Sequence, residues 1–321
     1  MLRHCLALLL LALISGLAPA EKPADALARA AGPAGAKKKI VFLTGRQTHG
    51  WDGHAYTADC MLLARLLNET VPRIEAVVIA DGWPRDLAVL DGAAAIVIAC
   101  DGNSLLGAQA NYKALDALAK KGVGIAFIHY ALDVGKPCGQ YLLQWIGGYY
   151  EQYWSVNPSW TAEFKTLPDH PITRGVNPFK IHDEWYYHMR FRDGMQGITP
   201  ILTAVPPEST RKGKDGSHSG NPEVRARMGM PEHVAWAYER PDGGRGFGFT
   251  GGHVHWNYAQ DNLRKVLLNA LCWIAKVEVP PGGVQTETPT TEEMEDNLVG
   301  DRPQNWTRER ARQMIEQLNK N

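Results

Sequence analysis

His49 and His54, then His129, then His253 and His255 each follow or end an apolar run of strand length, and His188 closes an acidic-aromatic stretch. His49 and His54 come after Lys39-Ile-Val-Phe-Leu43. His129 comes after Gly124-Ile-Ala-Phe-Ile128, and His253 and His255 come after Gly246-Phe-Gly-Phe-Thr250. Imidazole titrates near neutral pH, moves protons and ligates metals, so such side chains gathered in one place can do acid–base or metal chemistry. His253-Val-His255 is the sharpest local pattern. On extended backbone residues i and i+2 share a face. Two imidazoles on one face can hold a divalent cation such as Zn or Mn, with His129 and a carboxylate completing the shell. They can equally bind sugar hydroxyls or shuttle protons.

Asp183-Glu184 precedes Trp185, Tyr186, Tyr187 and His188. Neighbours on a strand point to opposite faces, so Glu184 would share its face with Tyr186 and His188 as an acid–base set. A structural salt bridge is the competing role for these carboxylates. Trp51 and Trp256 stand beside the histidines. Flat indole faces pack on the C–H patches of sugar rings, and equally fill ordinary cores.

The elements that must position these residues follow from apolar periodicity. Strands are expected at 39–43, 75–80, 93–99 and 124–128. They alternate with helices at 56–68, from Ser104 (as N-cap) to about Lys121, and at 136–146. Alternating β and α elements with continuous apolar strands predict a mainly parallel sheet with helices on both faces. In such a sheet the loops at the carboxyl ends of the strands converge on one crevice. Shorter strands are expected at 161–166, 180–188, 198–205, 233–239 and 246–250, with a closing helix at 262–275. Residues 206–231 lack periodicity and read as a surface excursion or lid. Residues 278–302 read as a Pro/Gly/Thr/Glu linker, and 303–321 as a C-terminal helix whose Ala311, Met314, Ile315 and Leu318 form one face.

The bulk numbers set limits. The 321 residues, 45% of them hydrophobic, suffice for a large core. Basic and acidic residues balance at 34 each, which gives no reason to expect nucleic acid as a partner. Arg3, the apolar run Leu6 to Leu13 and Ala18-Pro-Ala20 have the pattern of a cleavable signal peptide over 1–20. A secreted or periplasmic protein with no membrane span in the mature chain is therefore expected, with 21–38 as a flexible leader. Cys60, Cys100, Cys138 and Cys272 are scattered and form no CxxC, so buried free thiols are expected, with one disulfide as the alternative.

Thr48-His49-Gly50, Gly124 to His129, His170-Pro-Ile-Thr-Arg-Gly175, Asp183-Glu-Trp-Tyr186 and Gly244-Arg-Gly-Phe to Gly252-His253 occur in this order. Together they resemble the ThuA-like (trehalose utilisation) family over about 38–276, with the domain expected at 39–277. The resemblance implies a flavodoxin-like, glutamine amidotransferase-like fold. In class I glutamine amidotransferases the corner after the central strand holds the nucleophilic Cys. Here that residue is His129, and Cys138 lies outside the corner, so thiolate chemistry is not expected. The family implies action on 3-keto sugars supplied by a partner sugar 3-oxidoreductase.

The resulting expectation is an exported carbohydrate-active enzyme. His49, His129, Glu184 and His253 are its catalytic residues. His54, Trp51, Asp183, Tyr186, His255 and Trp256 contact substrate, and His129, His253 and His255 are the metal set. The alternative is a non-catalytic sugar-binding or scaffold protein on the same fold.

Overall fold

Ile40 and Phe42 of the first strand enter one core while Val41 and Leu43 enter another, so this strand is buried on both faces. That is the behaviour of a central parallel strand covered by helices on either side. The computed structural model describes residues 35–320. The expected signal peptide, and the leader up to residue 34, lie outside the described residues.

The strands are β1 (Lys38–Thr44), β2 (Ile74–Ile79), β3 (Ala93–Ala99), β4 (Gly124–Ile128), β5 (Gly148–Tyr149) and β6 (Ser159–Phe164), followed by β7 (Phe179–Glu184), β8 (Arg190–Phe191), β9 (Ile198–Ala204), β10 (Glu232–Glu239) and β11 (Arg245–Phe249). The helices are α1 (Tyr56–Thr70), α2 (Gln109–Ala119), α3 (Lys136–Trp145), α4 (Glu208–Arg211), α5 (Pro222–Ala226), α6 (Asp261–Ile274), α7 (Thr291–Glu295) and α8 (Arg308–Asn319). The main sheet has the order β2-β1-β3-β4-β11-β10-β9. Neighbours from β2 to β11 are parallel, and β10 and β9 add antiparallel pairs at one edge. Leu63, Leu66 and Leu67 of α1 pack with Leu263, Val266 and Leu267 of α6 on one face. Leu115 of α2 and Leu142 of α3 pack on the other. The expected architecture is therefore present, and Ala36 onward forms one compact unit. Among the described residues no helix is long and apolar enough to cross a membrane.

Several local expectations are corrected. Ser104 does not cap a helix. Turns across 101–106 bury Leu105 and Leu106 first, and α2 starts at Gln109 after an extended Ala108. The segments expected as strands at 161–166 and 180–188 form a separate β6–β7 hairpin that ends at Glu184. Residues 206–231 are tied down by fully buried Arg211, which donates to Glu232 Oε1 (2.9 Å) and to the Met230 carbonyl (2.7 Å). Residues 278–302 are packed rather than free. Val279, Val284 and Met294 are buried, and Val284 N donates to Asn269 Oδ1 (2.8 Å) on α6. Thr290 and Glu293 form a reciprocal capping box at the start of α7. Thr307 caps α8, whose Ala311 and Ile315 are buried, with Met314 and Leu318 packed alongside. Among the described residues Cys60, Cys100, Cys138 and Cys272 are free thiols, and burial pushes Cys100 up to about 11 and Cys272 up to about 12, which disfavours thiolate chemistry.

Candidate functional site

Three loops at the carboxyl ends of β1, β4 and β11 meet. The first, 45–54, folds back on itself through a bridge between His49 and Gly53, and Gly53 also bridges Val254 in the third loop. A Cβ on Gly53 would stand 2.3 Å from the His49 carbonyl oxygen, so only glycine permits this turn. His54 N donates to the His253 carbonyl (3.1 Å), and His255 N donates to the Asp52 carbonyl (2.9 Å). Asp183, fully buried at the end of β7, fixes the third loop. Its carboxylate accepts from the backbone N–H of Gly252 (2.8 Å), His253 (3.2 Å) and Val254 (3.2 Å). It therefore positions the loop from beneath, and its full burial fits this role rather than the expected one of contacting substrate.

His54 and His129 both have positive φ (46° and 55°), which lifts their side chains off the strand direction. Their Nε2 atoms lie 3.1 Å apart. His129 Nδ1 faces the Thr250 carbonyl at 2.8 Å, and a carbonyl only accepts, so this nitrogen carries hydrogen and the neutral ring's lone pair is on Nε2. His54 Nδ1 faces Asp101 Oδ1 at 2.7 Å, which puts its lone pair on Nε2 as well. Tyr56 donates its hydroxyl to the same Asp101 oxygen. Glu184 Oε2 is 3.4 Å from His129 Nε2 and 3.2 Å from His253 Nδ1, while Asn157 Nδ2 donates to Glu184 Oε1 (3.1 Å). Ligand atoms of His54, His129, Glu184 and His253 all lie within 4.8 Å of one another.

The electrostatics match this picture. Burial lowers His54 to about 4, against the pull of Asp101, so the ring is neutral at physiological pH. Burial alone would raise Glu184, but the neighbouring imidazoles of His129 and His253 hold it at about 2. Asp101 follows the same logic: burial raises it, and hydrogen bonds from His54, Tyr56 and Thr48 bring it to about 2. The hydrogen bond to Glu184 raises His253 despite burial.

His49 stands on the rim, exposed, its Nδ1 2.7 Å from Thr48 Oγ1 and its ring 3.8 Å from that of His54. Tyr186 reaches His129 Nε2 with its hydroxyl at 3.3 Å from a fully buried position. Other expected residues lie elsewhere. His255 does not share a face with His253, because Val254 ends the extended stretch and His255 opens a 3-10 turn (His255–Ala259). Its Nδ1 pairs with buried Asp59 (2.6 Å) and its Nε2 meets the Met294 carbonyl, so neither nitrogen is left for a cation or substrate. His188 is turned away by its positive φ of 56°. It stacks on Trp154, so it does not join Glu184 and Tyr186. Trp51 and Trp256 are buried, packed with Trp306 at 4.7 and 4.6 Å between ring centroids, and offer no open face to a sugar. Asp101, Tyr56 and Asn157 enter the site without having been expected. Asp101 carried the same signal as the histidines, since it closely follows the buried run Ala93–Ala99.

The family described as trehalose utilisation, ThuA, matches residues 40–274. A solved ThuA-like protein from Bacteroides uniformis is 15% identical, covers 75% of this chain and 94% of its own, and superposes with a TM-score of 0.53. A ThuA-like protein from Parabacteroides merdae is 16% identical over 79% of this chain and 94% of its own, with a TM-score of 0.48. A glutamine amidotransferase from Thermotoga maritima is 9% identical over 74% of this chain and 98% of its own, with a TM-score of 0.41. Comparison with curated proteins gives no match. The sheet, the helices on both its faces and the matched span agree: this chain belongs to the ThuA, or trehalose utilisation, family, which places it in sugar metabolism.

Proposed function

We propose that this protein is a carbohydrate-active enzyme acting on 3-keto sugars or glycosides, with a divalent cation, Zn or Mn, held by His54, His129, Glu184 and His253. The observation that carries the cation is the pair of Nε2 lone pairs facing each other at 3.1 Å, with the Glu184 carboxylate beside them. Two acceptors at that distance repel unless a proton or a cation lies between them. Metal–nitrogen bonds of about 2.0–2.1 Å in a tetrahedron separate ligands by about 3.3 Å, close to the spacings found here. The carbonyl partner of His129 and the carboxylate partner of His54 are the supports that metal-binding imidazoles ordinarily have.

A bound cation of this kind supplies Lewis acidity toward a carbonyl oxygen. The chain's own residues handle the proton. A ketone at C-3 acidifies the C–H bond at C-2. His49, exposed on the rim with Nδ1 against Thr48, takes that proton. The bond from C-1 to the glycosidic oxygen then breaks, His49 returns the proton to the departing oxygen, and water adds to the enone. A sugar 3-oxidoreductase would supply the substrate. The Arg3, Leu6–Leu13 and Ala18-Pro-Ala20 pattern supports an exported enzyme.

The test is turnover of 3-keto-trehalose or a 3-keto-glucoside by the purified protein, with and without added Zn²⁺ or Mn²⁺. The expected result is release of the second sugar, lowered on the order of 100-fold in kcat by His49→Ala. Binding without product in every metal condition would overturn the enzymatic reading in favour of a sugar-binding protein.

A further inference from the structure

The excursion at 206–231 carries a histidine that the site described so far does not use. A bridge between Gly216 and Gly220 closes a tight turn, and Ser217 and His218 stand on it. The turn is docked on the segment after β5. Tyr153 N donates to the Ser217 carbonyl (3.0 Å) and Asn157 N to the His218 carbonyl (3.2 Å). His218 Nε2 lies 3.0 Å from Oδ2 of Asp133, a buried carboxylate that also accepts from Gln152. A carboxylate only accepts, so Nε2 carries hydrogen and the neutral ring's lone pair is on Nδ1, 2.8 Å from the Ser217 hydroxyl. One nitrogen is thus fixed by a buried charge. The other meets only a hydroxyl rotor, on a side chain that is 36% exposed. That is the arrangement in which an imidazole passes protons.

The pair adjoins the histidine cluster. Asp133 follows directly on the 3-10 turn that His129 opens. Asn157, which holds the His218 carbonyl through its backbone, donates its side-chain amide to Glu184 Oε1 (3.1 Å). Tyr130 stands 5.8 Å from the His54 ring, and after burial it is the carboxylates of Asp133, Asp101 and Glu184 that raise its hydroxyl, so all three lie around it. His49 reaches the cluster through His54, at 3.8 Å between rings, and His218 reaches it through Asn157 and Glu184.

We propose that His218, oriented by Asp133, is the acid that protonates the departing oxygen when that oxygen lies across the sugar ring from the C-2 hydrogen. The inference rests on the sugar-acting reading above and adds a residue to it. A base that also returns the proton, as His49 does, must meet both atoms from one face. In a β-glucoside the C-2 hydrogen and the C-1 oxygen are on the same face of the ring, and in an α-glucoside on opposite faces. With an α-glucoside His49 keeps the C-2 proton. The Ser217 hydroxyl yields its place to the glycosidic oxygen, which takes the proton from His218 Nδ1 as the C-1–O bond breaks and its electron pair stays on oxygen. Solvent, to which both imidazoles are open, then removes the proton from His49 and returns one to His218.

The test compares leaving groups and anomers. Full-length wild-type protein, His218→Gln and Asp133→Asn are assayed on the methyl α- and β-glycosides of 3-keto-glucose and on its 4-nitrophenyl α-glycoside. Methoxide needs a proton to leave, whereas 4-nitrophenolate does not. His218→Gln is expected to lower kcat on the methyl α-glycoside on the order of 100-fold. The 4-nitrophenyl α-glycoside and the methyl β-glycoside should stay within a few-fold of wild type. Asp133→Asn, acting through His218, should show the same selectivity with a smaller loss, and it carries the test if His218→Gln fails to fold. A merely structural role would lower all three substrates together. Uniform losses, or unchanged turnover of the methyl α-glycoside, in both variants would overturn the assignment and leave the reaction standing. A wild-type protein that turns over none of the three would overturn the reaction and this assignment with it.

Discussion

His54 and His129 illustrate how much a single ring nitrogen decides. Each commits Nδ1 to a fixed acceptor, and that choice leaves Nε2 facing the shared space. The same burial that keeps His54 neutral makes it a liability in acid. Its folded pKa, about 4, lies below the ordinary 6.5, so between these values the unfolded chain binds a proton that the folded chain refuses. Stability is therefore complete above pH 6.5 and declines as the pH falls toward 4, by up to about 3 kcal/mol from this group. Urea unfolding of chelator-treated protein at several pH values between 4.5 and 7 should show this slope, and His54→Gln should flatten it. An unchanged slope in the variant would contradict the assignment.

Much of the site was legible at this scale. Histidine after a buried strand pointed to His49, His54, His129 and His253, which the fold brings close together. The rule for residues i and i+2 failed for His255 because it holds only on extended backbone, and Val254 ends that stretch. Reading Glu184 with His188 failed for the same reason, since β7 stops at Glu184. Asp101 obeyed the rule that found the histidines, but an acidic residue among many gives no contrast in a sequence.

Among the elements, the C-terminal segment has the clearest consequence for the site. Val299 N donates to Gln47 Oε1 (3.2 Å), and Gln47 donates in turn to the carbonyls of Gly50 (2.6 Å) and Trp51 (2.7 Å). The Arg302 guanidinium lies 5.4 Å from the Trp51 ring, and Trp306 packs against both Trp51 and Trp256. This strap, beyond the family-matched residues 40–274, clamps the loop that carries His49 and His54. Trp306→Ala should lower stability by about 1–3 kcal/mol. It should also weaken cation affinity by at least roughly tenfold, as loss of supporting contacts does at metal sites. Trp306→Phe should restore most of the affinity. Competition against a chelating dye measures it, and equal affinity in all three proteins would refute the clamp. The sequence hid the strap because few of its residues are apolar. What holds it are side chains far away in the chain, such as Asn269 and Arg264 on α6, which bond its backbone and side chains. Local composition cannot report that.

For the whole molecule, the sheet does the gathering. The alternation of apolar strands and amphipathic helices was readable because each central strand is buried on both faces and so carries no polar interruption. The β6–β7 hairpin was readable as strands but not as a separate sheet, since pairing partners leave no local mark. Once the parallel order is set, residues 54, 129 and 253 meet at the carboxyl ends, Glu184 joins them from the end of the separate β6–β7 hairpin, and whether they meet around a cation is the point on which the chemistry turns. Elemental analysis of the purified full-length protein, alongside His129→Ala and Glu184→Gln, tests this most directly. The account predicts about one Zn or Mn per chain, lost in both variants. A wild-type protein that stays metal-free after incubation with either ion, or variants that keep the ion, would contradict it.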